Sequence, residues 1–270
     1  MMIGRARFAF TVLAFGYAFL YLPIALVIVY SFNGSRLVTV WAGFSTKWWS
    51  ALLNNEAMLD AAWLSLRVAL TSATLATLLG TAAGYVLVRV PRFAGRTLFA
   101  SLVIAPMVMP EVVMGISMLL LFVGSDRLLG GPERGFLTIT AAHVTFSLAF
   151  VAIVVQARLA DFDRALEEAA MDLGATPAIT FLTVTLPLIA PALVSGWLLA
   201  FTLSLDDLIL TQFVAGAQSQ TLPMRVYSSV RLGVDPQINV LATIVIAIAT
   251  GALILSAWLT RVGVDKRGQR

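Results

Sequence analysis

The sequence predicts an all-α membrane protein of six transmembrane helices, and three observations carry that prediction. Of 270 residues, 60% are hydrophobic and 12% are charged, whereas a soluble domain carries roughly 25% charged residues. The apolar residues fall in long unbroken blocks, not at the three- and four-residue spacing of an amphipathic surface helix. Six blocks meet or approach the roughly 20 residues needed to cross the hydrocarbon core of a bilayer.

The first span is read over about 8–31. It follows Arg5 and Arg7 and runs without a charge through Tyr21, Pro23 and Tyr30 to Ser31. A secretory signal has a shorter apolar core and a small-residue cleavage site, so this segment is expected to be an uncleaved anchor. The loop 32–62 holds Trp41, Trp48 and Trp49, read as anchors at head-group depth, with a short interfacial helix over Trp48–Leu53. The second span, 63–88, ends in a tight basic connection from Arg89 to Arg96. The third, 98–123, carries Pro106, Pro110 and Gly115, so a kink or break is expected, tolerated where backbone groups face protein or a water-filled cavity. Spans four to six are read over 136–156, 188–212 and 239–260. Between them lie a short glycine-rich loop, 124–135, and a longer one, 213–238, expected to dip back or form a short helix. One transmembrane domain over 1–270 accounts for the chain.

Charge orients the bundle. Eleven of the 18 basic residues (Arg5, Arg7, Arg89, Arg92, Arg96, Arg158, Arg164, Arg261, Lys266, Arg267 and Arg270) share the side of the termini. The rest, such as Arg36, Lys47, Arg67 and Arg134, fall on the other. The positive-inside rule places both termini in the cytoplasm. The net charge of +4 therefore reports topology and contact with anionic membrane lipid, and calls for no nucleic acid. The chain has no cysteine and one histidine, which excludes disulfides, thiolate metal sites and multi-histidine metal sites.

One cytoplasmic segment, 157–187, breaks the basic pattern. It holds Asp161, Asp163, Glu167, Glu168 and Asp172 against Arg158 and Arg164. Leu159, Phe162, Leu166, Ala169 or Ala170, and Leu173 recur at helical spacing. Gly174 supplies a helix stop. Thr176-Pro177 reads as a new start, a hydroxyl cap followed by proline at the first helical position. The loop is thus expected to be two short helices about a glycine elbow, suited to a partner's groove.

The stretch Glu168-Ala169-Ala170, then Gly174, then Val184-Thr185-Leu186-Pro187 resembles the EAA loop of ABC-importer permeases, with valine at 184 where isoleucine is usual. That resemblance implies the type I (MetI-like) permease bundle. It also implies an ATPase-coupling surface carried by Glu168, Ala169, Ala170, Asp172, Gly174 and Pro187. The implied partners are a second permease in a heterodimer, a dimer of ATPase subunits and a periplasmic substrate-binding protein. The chain has no Gly-x-x-x-x-Gly-Lys-Ser/Thr loop, so no cofactor is expected on it; ATP and Mg belong to the partner ATPase. It is read as a transporter subunit of the bacterial inner membrane, not an enzyme.

Charges within spans point to the cargo, because each is costly unless it faces water or a partner. Three acids stand out: Glu111, beside Pro110 in the third span, and Asp206 and Asp207 in the fifth. Adjacent helical residues point about 100° apart, so both aspartates cannot face one pathway. One lining it and the other bonded to a neighbouring helix, or a structural network holding the pair, stand level as readings. His143, near Thr145 and Ser147, and Gln156 are read as interhelical hydrogen-bonding residues. The segments Tyr30-Ser31-Phe32-Asn33, Met109-Pro110-Glu111, Leu203-Ser204-Leu205-Asp206-Asp207 and Leu222-Pro223-Met224 resemble the polyamine importer permeases, and Val38-Thr39-Val40-Trp41-Ala42-Gly43 the putrescine branch. The resemblance implies translocation of a polyamine, putrescine first, by alternating access. Spermidine or another small solute on the same machinery is the alternative. An intramembrane hydrolase is remote, since one histidine offers little for a triad.

Overall fold

In hydrocarbon every backbone N–H and C=O must be paired internally, which leaves helices or closed barrels; this chain takes the helical solution. The computed structural model describes residues 2–37, 40–90, 92–233 and 235–251. The end of the sixth expected span, the basic residues Arg261, Lys266, Arg267 and Arg270, the side chains of Arg5 and Arg7, and Val38, Thr39 and Pro91 lie outside the described residues. Among the described residues there is no strand, only an isolated antiparallel bridge between Asn33 and Phe44.

The helices are α1 (Met2–Tyr30), α2 (Lys47–Leu53), α3 (Glu56–Arg89), α4 (Arg96–Val108), α5 (Glu111–Leu129), α6 (Phe136–Asp161), α7 (Ala165–Asp172), α8 (Pro177–Thr180), α9 (Leu186–Asp206), α10 (Ile209–Val214) and α11 (Leu222–Leu232). A five-residue π segment, Phe181–Thr185, joins α8 to α9. A further helix, α12, covers Gln237–Gly251. Five segments are long and apolar enough to cross a membrane: Phe10–Tyr30, α3, α5, α6 and Pro177–Asp206.

Contacts divide the chain into two compact units, Asp60–Arg225 and the remainder. In the remainder, Asn33 organises the loop after α1. Its amide donates to Val40 O at 2.7 Å, its Oδ1 accepts the N–H of Ser35 and Ala42, and its carbonyl accepts Trp48 Nε1 at 2.9 Å. Trp49 stacks on Phe32, and Trp41 meets Tyr30 edge-on. These tryptophans therefore pin a folded loop; α2 forms where a short helix was expected.

In the unit Asp60–Arg225, α6 is the axis. Small residues of α3 let the two backbones approach, as in membrane helix pairs generally. A Cβ at Gly80 would lie 2.8 Å from Val151 Cβ, and one at Gly84 2.9 Å from Ala152 O; Ala73 and Ala76 are fully buried beside them. The helix α9 packs on α6 antiparallel, with Ile189 near Val155 and Leu159 and Gly196 against Val151.

Two expected spans are broken. The third is α4 and α5, parted at Met109 and Pro110, which are extended (ψ 138° and 133°). Proline has no N–H for a helical bond and pushes its predecessor out of the helical region. The fifth, read over 188–212, ends its helix at Asp206; Asp207 is extended (ψ 124°) and α10 starts at Ile209. No proline explains this break. Instead the Asp207 carboxylate accepts the N–H of Leu210 and of Thr211, the latter at 2.7 Å, and so caps α10.

Candidate functional site: an acidic helical loop and three intramembrane acids

The loop from Phe162 to Leu186 is built from local signals. Asp163 Oδ1 accepts Ala165 N–H at 2.9 Å and starts α7. After Asp172 the chain closes a Schellman turn: Ala175 N–H donates to Ala170 O and Gly174 N–H to Met171 O, with Gly174 at φ +93°. That conformation is the one glycine adopts freely. Thr176 then caps α8, its hydroxyl accepting Ile179 N–H at 3.4 Å, with Pro177 next.

The second short helix does not end before the fifth span, as two separate helices about an elbow would imply. It runs into α9 through the π segment, where Leu186 N–H bonds to Phe181 O, one residue further back than in an α-helix. Pro187 follows and has no N–H to give Thr183 O, and the widened turn relieves the clash of its ring with that carbonyl.

The two neighbouring glutamates of α7 have different surroundings. Glu168 is exposed and pairs with Arg164 one turn back at 3.3 Å. Glu167 is buried: Oε2 lies 2.7 Å from Arg89 Nε, and Oε1 accepts the Thr185 hydroxyl at 2.6 Å. Sequence reasoning took Arg89 for a topology cation and singled out Glu168. It missed this pair because its partner stands 78 positions away, although a charge at helical spacing from the loop's apolar residues was visible. Outward, Leu166, Met171, Leu173, Ile179 and Leu182 are exposed, Leu173 by 90%, with Ala169 and Asp172 also exposed. The loop thus offers an apolar surface edged by acids.

The intramembrane acids separate in the same way. Asp207 belongs to a buried network: His143 Nε2 lies 3.2 Å from Asp207 Oδ2 and 2.9 Å from Thr211 Oγ1, His143 Nδ1 lies 2.6 Å from Ser204 Oγ, and Ser72 donates to Ser204 at 3.1 Å. With its proton on Nε2, the imidazole donates to Asp207 and accepts from Ser204. Asp206 and Glu111 are exposed and form no ion pair among the described residues. Gln156, read as a hydrogen-bonding residue, buries its amide nitrogen without a partner among the described residues.

Distances along α6 bring the acids to one depth. Thr138 donates to Val214 O, His143 meets Ser204 and Thr211, and Val151 meets Gly196, so the α9–α10 break lies beside His143. On the other side Val103 packs with Leu148 and Ala152, and Met114 with Ile139 and Ala142. The Met109–Pro110 break falls between them, again level with His143. The segments after the breaks pack together, Gly115 against the Phe213 ring. Two broken helices therefore present Glu111 and Asp206 at the same level of one unit, as the sequence alone could not establish.

Residues 76–267 match the family described as binding-protein-dependent transport system inner membrane component. The putrescine transport system permease protein PotI of Escherichia coli (strain K12) is 52% identical over 266 residues, covering 98% of this chain and 94% of that protein. The spermidine/putrescine transport system permease protein PotC of the same strain is 43% identical over 245 residues, 91% of this chain and 90% of its own. Among solved structures, a chain of a bacterial ABC transporter involved in import of the acidic polysaccharide alginate superposes with a TM-score of 0.73 at 18% identity, covering 96% of each chain. A chain of the MetNI methionine ABC transporter gives 0.60 at 16% identity over 74% of this chain and 92% of its own. These two likenesses carry the fold.

Proposed function

The chain belongs to the binding-protein-dependent transport system inner membrane component family, a family of transport components and not of enzymes, and from that premise we propose that it is the permease subunit of an ATP-driven polyamine importer whose cargo is putrescine. The single observation that carries the cargo is the near full-length 52% identity to a putrescine permease. The geometry supports it: putrescine is a dication with a four-carbon spacer. Glu111 and Asp206 are two carboxylates with no ion pair among the described residues, held at one depth by two helix breaks. Intramembrane acids of this kind mark cation pathways. Asp207, bonded to His143 and Thr211, holds the break, and Asp206 meets the cation.

The exposed face of the loop 157–187 is the docking surface for the ATPase, with Glu168, Ala169, Ala170 and Asp172 on α7, Gly174 setting the elbow and Pro187 setting the entry to α9. ATP and Mg bind the partner ATPase dimer. A second permease completes the pathway, a periplasmic binding protein delivers the polyamine, and both termini lie in the cytoplasm. ATP-driven closure of the ATPase dimer moves α7, and the pathway opens to the periplasm.

The test is ATP-dependent uptake of labelled putrescine by vesicles holding the complete complex, with unlabelled spermidine as competitor. Uptake of putrescine that excess spermidine barely reduces is expected. Uptake that spermidine abolishes at equal concentration would move the cargo toward the PotC type, which is 43% identical. No uptake of either, with ATPase activity intact, would discard the polyamine reading.

A further inference from the structure

Glu167 is the one buried residue of α7. No apolar side chain of this helix is buried; the side chain it buries is a carboxylate. Removing a charge pair from water is unfavourable unless further partners support both groups; here a hydroxyl supports the carboxylate and a backbone carbonyl the guanidinium, whose Nη2 is buried without a hydrogen-bond partner among the described residues. Glu167 forms an ion pair with Arg89, Oε2 lying 2.7 Å from Nε, and its Oε1 accepts the Thr185 hydroxyl at 2.6 Å. Arg89 in turn donates from Nη1 to Leu159 O at 3.3 Å, and its guanidinium lies 5.5 Å from the Phe162 ring centre. The last residue of α3, the end of α6, the first turn of α7 and the π segment at the base of α9 therefore meet at one side chain.

Such a junction differs from an apolar contact in what it transmits. Apolar surfaces slide with little preference for direction, whereas a bonded charge pair in a low-dielectric setting has a fixed geometry and is lost steeply when parted. Adjacent helical residues diverge by about 100°, so Glu168 can face a partner while Glu167 faces the spans. We propose that Arg89, Glu167 and Thr185 form the joint through which displacement of α7 is passed to the ends of α3 and α9. They are positioning residues, distinct from the docking surface, and the inference rests on the reading that α7 docks the ATPase.

The test uses the complete complex in vesicles and three readouts: ATPase retained on co-purification, ATP hydrolysis stimulated by loaded binding protein, and putrescine taken up per ATP hydrolysed. Arg89→Gln and Glu167→Gln should keep the ATPase bound while uptake per ATP falls about tenfold, the scale of a lost hydrogen bond to a charged group. Thr185→Val, which leaves both charges in place, should show a smaller fall. Exchanging the pair, Arg89→Glu with Glu167→Arg, should recover coupling above that of either single variant at those positions. Wild-type uptake per ATP in Arg89→Gln and Glu167→Gln would overturn the joint. So would loss of the ATPase from every variant, Thr185→Val included, or an exchanged pair no better coupled than the single variants. Leu173→Asp on the exposed face tests the docking reading separately: if it leaves the ATPase bound, that reading fails whatever the joint variants do.

Discussion

Gly174 and His143 show how a single residue can be required for two different reasons. At Gly174 there is space for a side chain, since a Cβ would meet nothing within 4 Å, but φ is +93°. The requirement is conformational, and an L-residue in that region costs about 1–2 kcal/mol. Gly174→Ala should therefore weaken retention of the ATPase, and Gly174→Asn, which tolerates the left-handed region better, should weaken it less; co-purification yields measure both. Equal retention in Gly174→Ala and wild type would show that the Schellman turn does not set the surface. At His143 the requirement is chemical. The ring joins Ser204 to Asp207 and Thr211 across two helices, and its loss takes one hydrogen-bond partner from each of these groups, at about 1–3 kcal/mol in all. His143→Leu should lower the thermal midpoint of the detergent-solubilised complex by several degrees. An unchanged midpoint would mean that the break of α9 holds without it.

At the scale of elements, what could be read in advance depended on whether the signal was local. The break before Glu111 was legible because Pro110 carries its own cause, and the turn at Gly174 and start at Thr176-Pro177 were legible for the same reason. The break at Asp207 was not. It lies in an apolar run with no proline, and its cause is an aspartate that caps α10 while bonded to a histidine 64 positions earlier. The inward turn of Glu167 was hidden likewise, since helical spacing marks a face without saying what covers it. The π segment is a third case: Pro187 was visible, but not that the chain would widen its turn ahead of it and run α8 into α9. A π turn absorbs one residue more than an α turn, so deleting Val184 should return the segment to an α-helix with α8 and α9 close to their present phase. Thr185 then stays beside Glu167. The expected outcome is a complex that keeps its uptake of putrescine per ATP. ATP hydrolysis with little uptake in the deletion would show that the π turn itself has a mechanical part. The α3–α6 contact is a control at the same scale. Gly80→Val forces its new Cβ to within 2.8 Å of Val151, and overpacking of this kind costs about 1–3 kcal/mol, so it should lower the yield of folded chain and not the coupling of what remains.

Across the whole molecule, two carboxylates lie at one level and the acidic loop proposed to dock the ATPase lies at the other end of α6, an arrangement that would divide the work of selection from the work of passage. In a family that depends on a binding protein, the external concentration at which uptake is half-maximal is governed by capture outside the membrane. The pathway acts later, on a cation already delivered, and lowers the barrier to its transit. Glu111 and Asp206 should therefore govern rate and not apparent affinity. Each carboxylate removed withdraws one charge-assisted contact from a dication crossing a low-dielectric region. Glu111→Gln and Asp206→Asn are thus expected to lower the maximal rate of putrescine uptake about tenfold each. The half-saturating concentration should stay within about twofold, since the captured state is untouched. Asp207→Asn should behave differently, because Asp207 caps α10 and bonds His143; its loss should appear in the thermal midpoint as well as in the rate. Initial uptake rates over a range of putrescine concentrations, taken with unfolding curves of the same preparations, separate these outcomes. If Glu111→Gln and Asp206→Asn instead raise the half-saturating concentration and leave the maximal rate alone, the two acids act in receiving the cation from the binding protein, and the barrier within the membrane lies elsewhere.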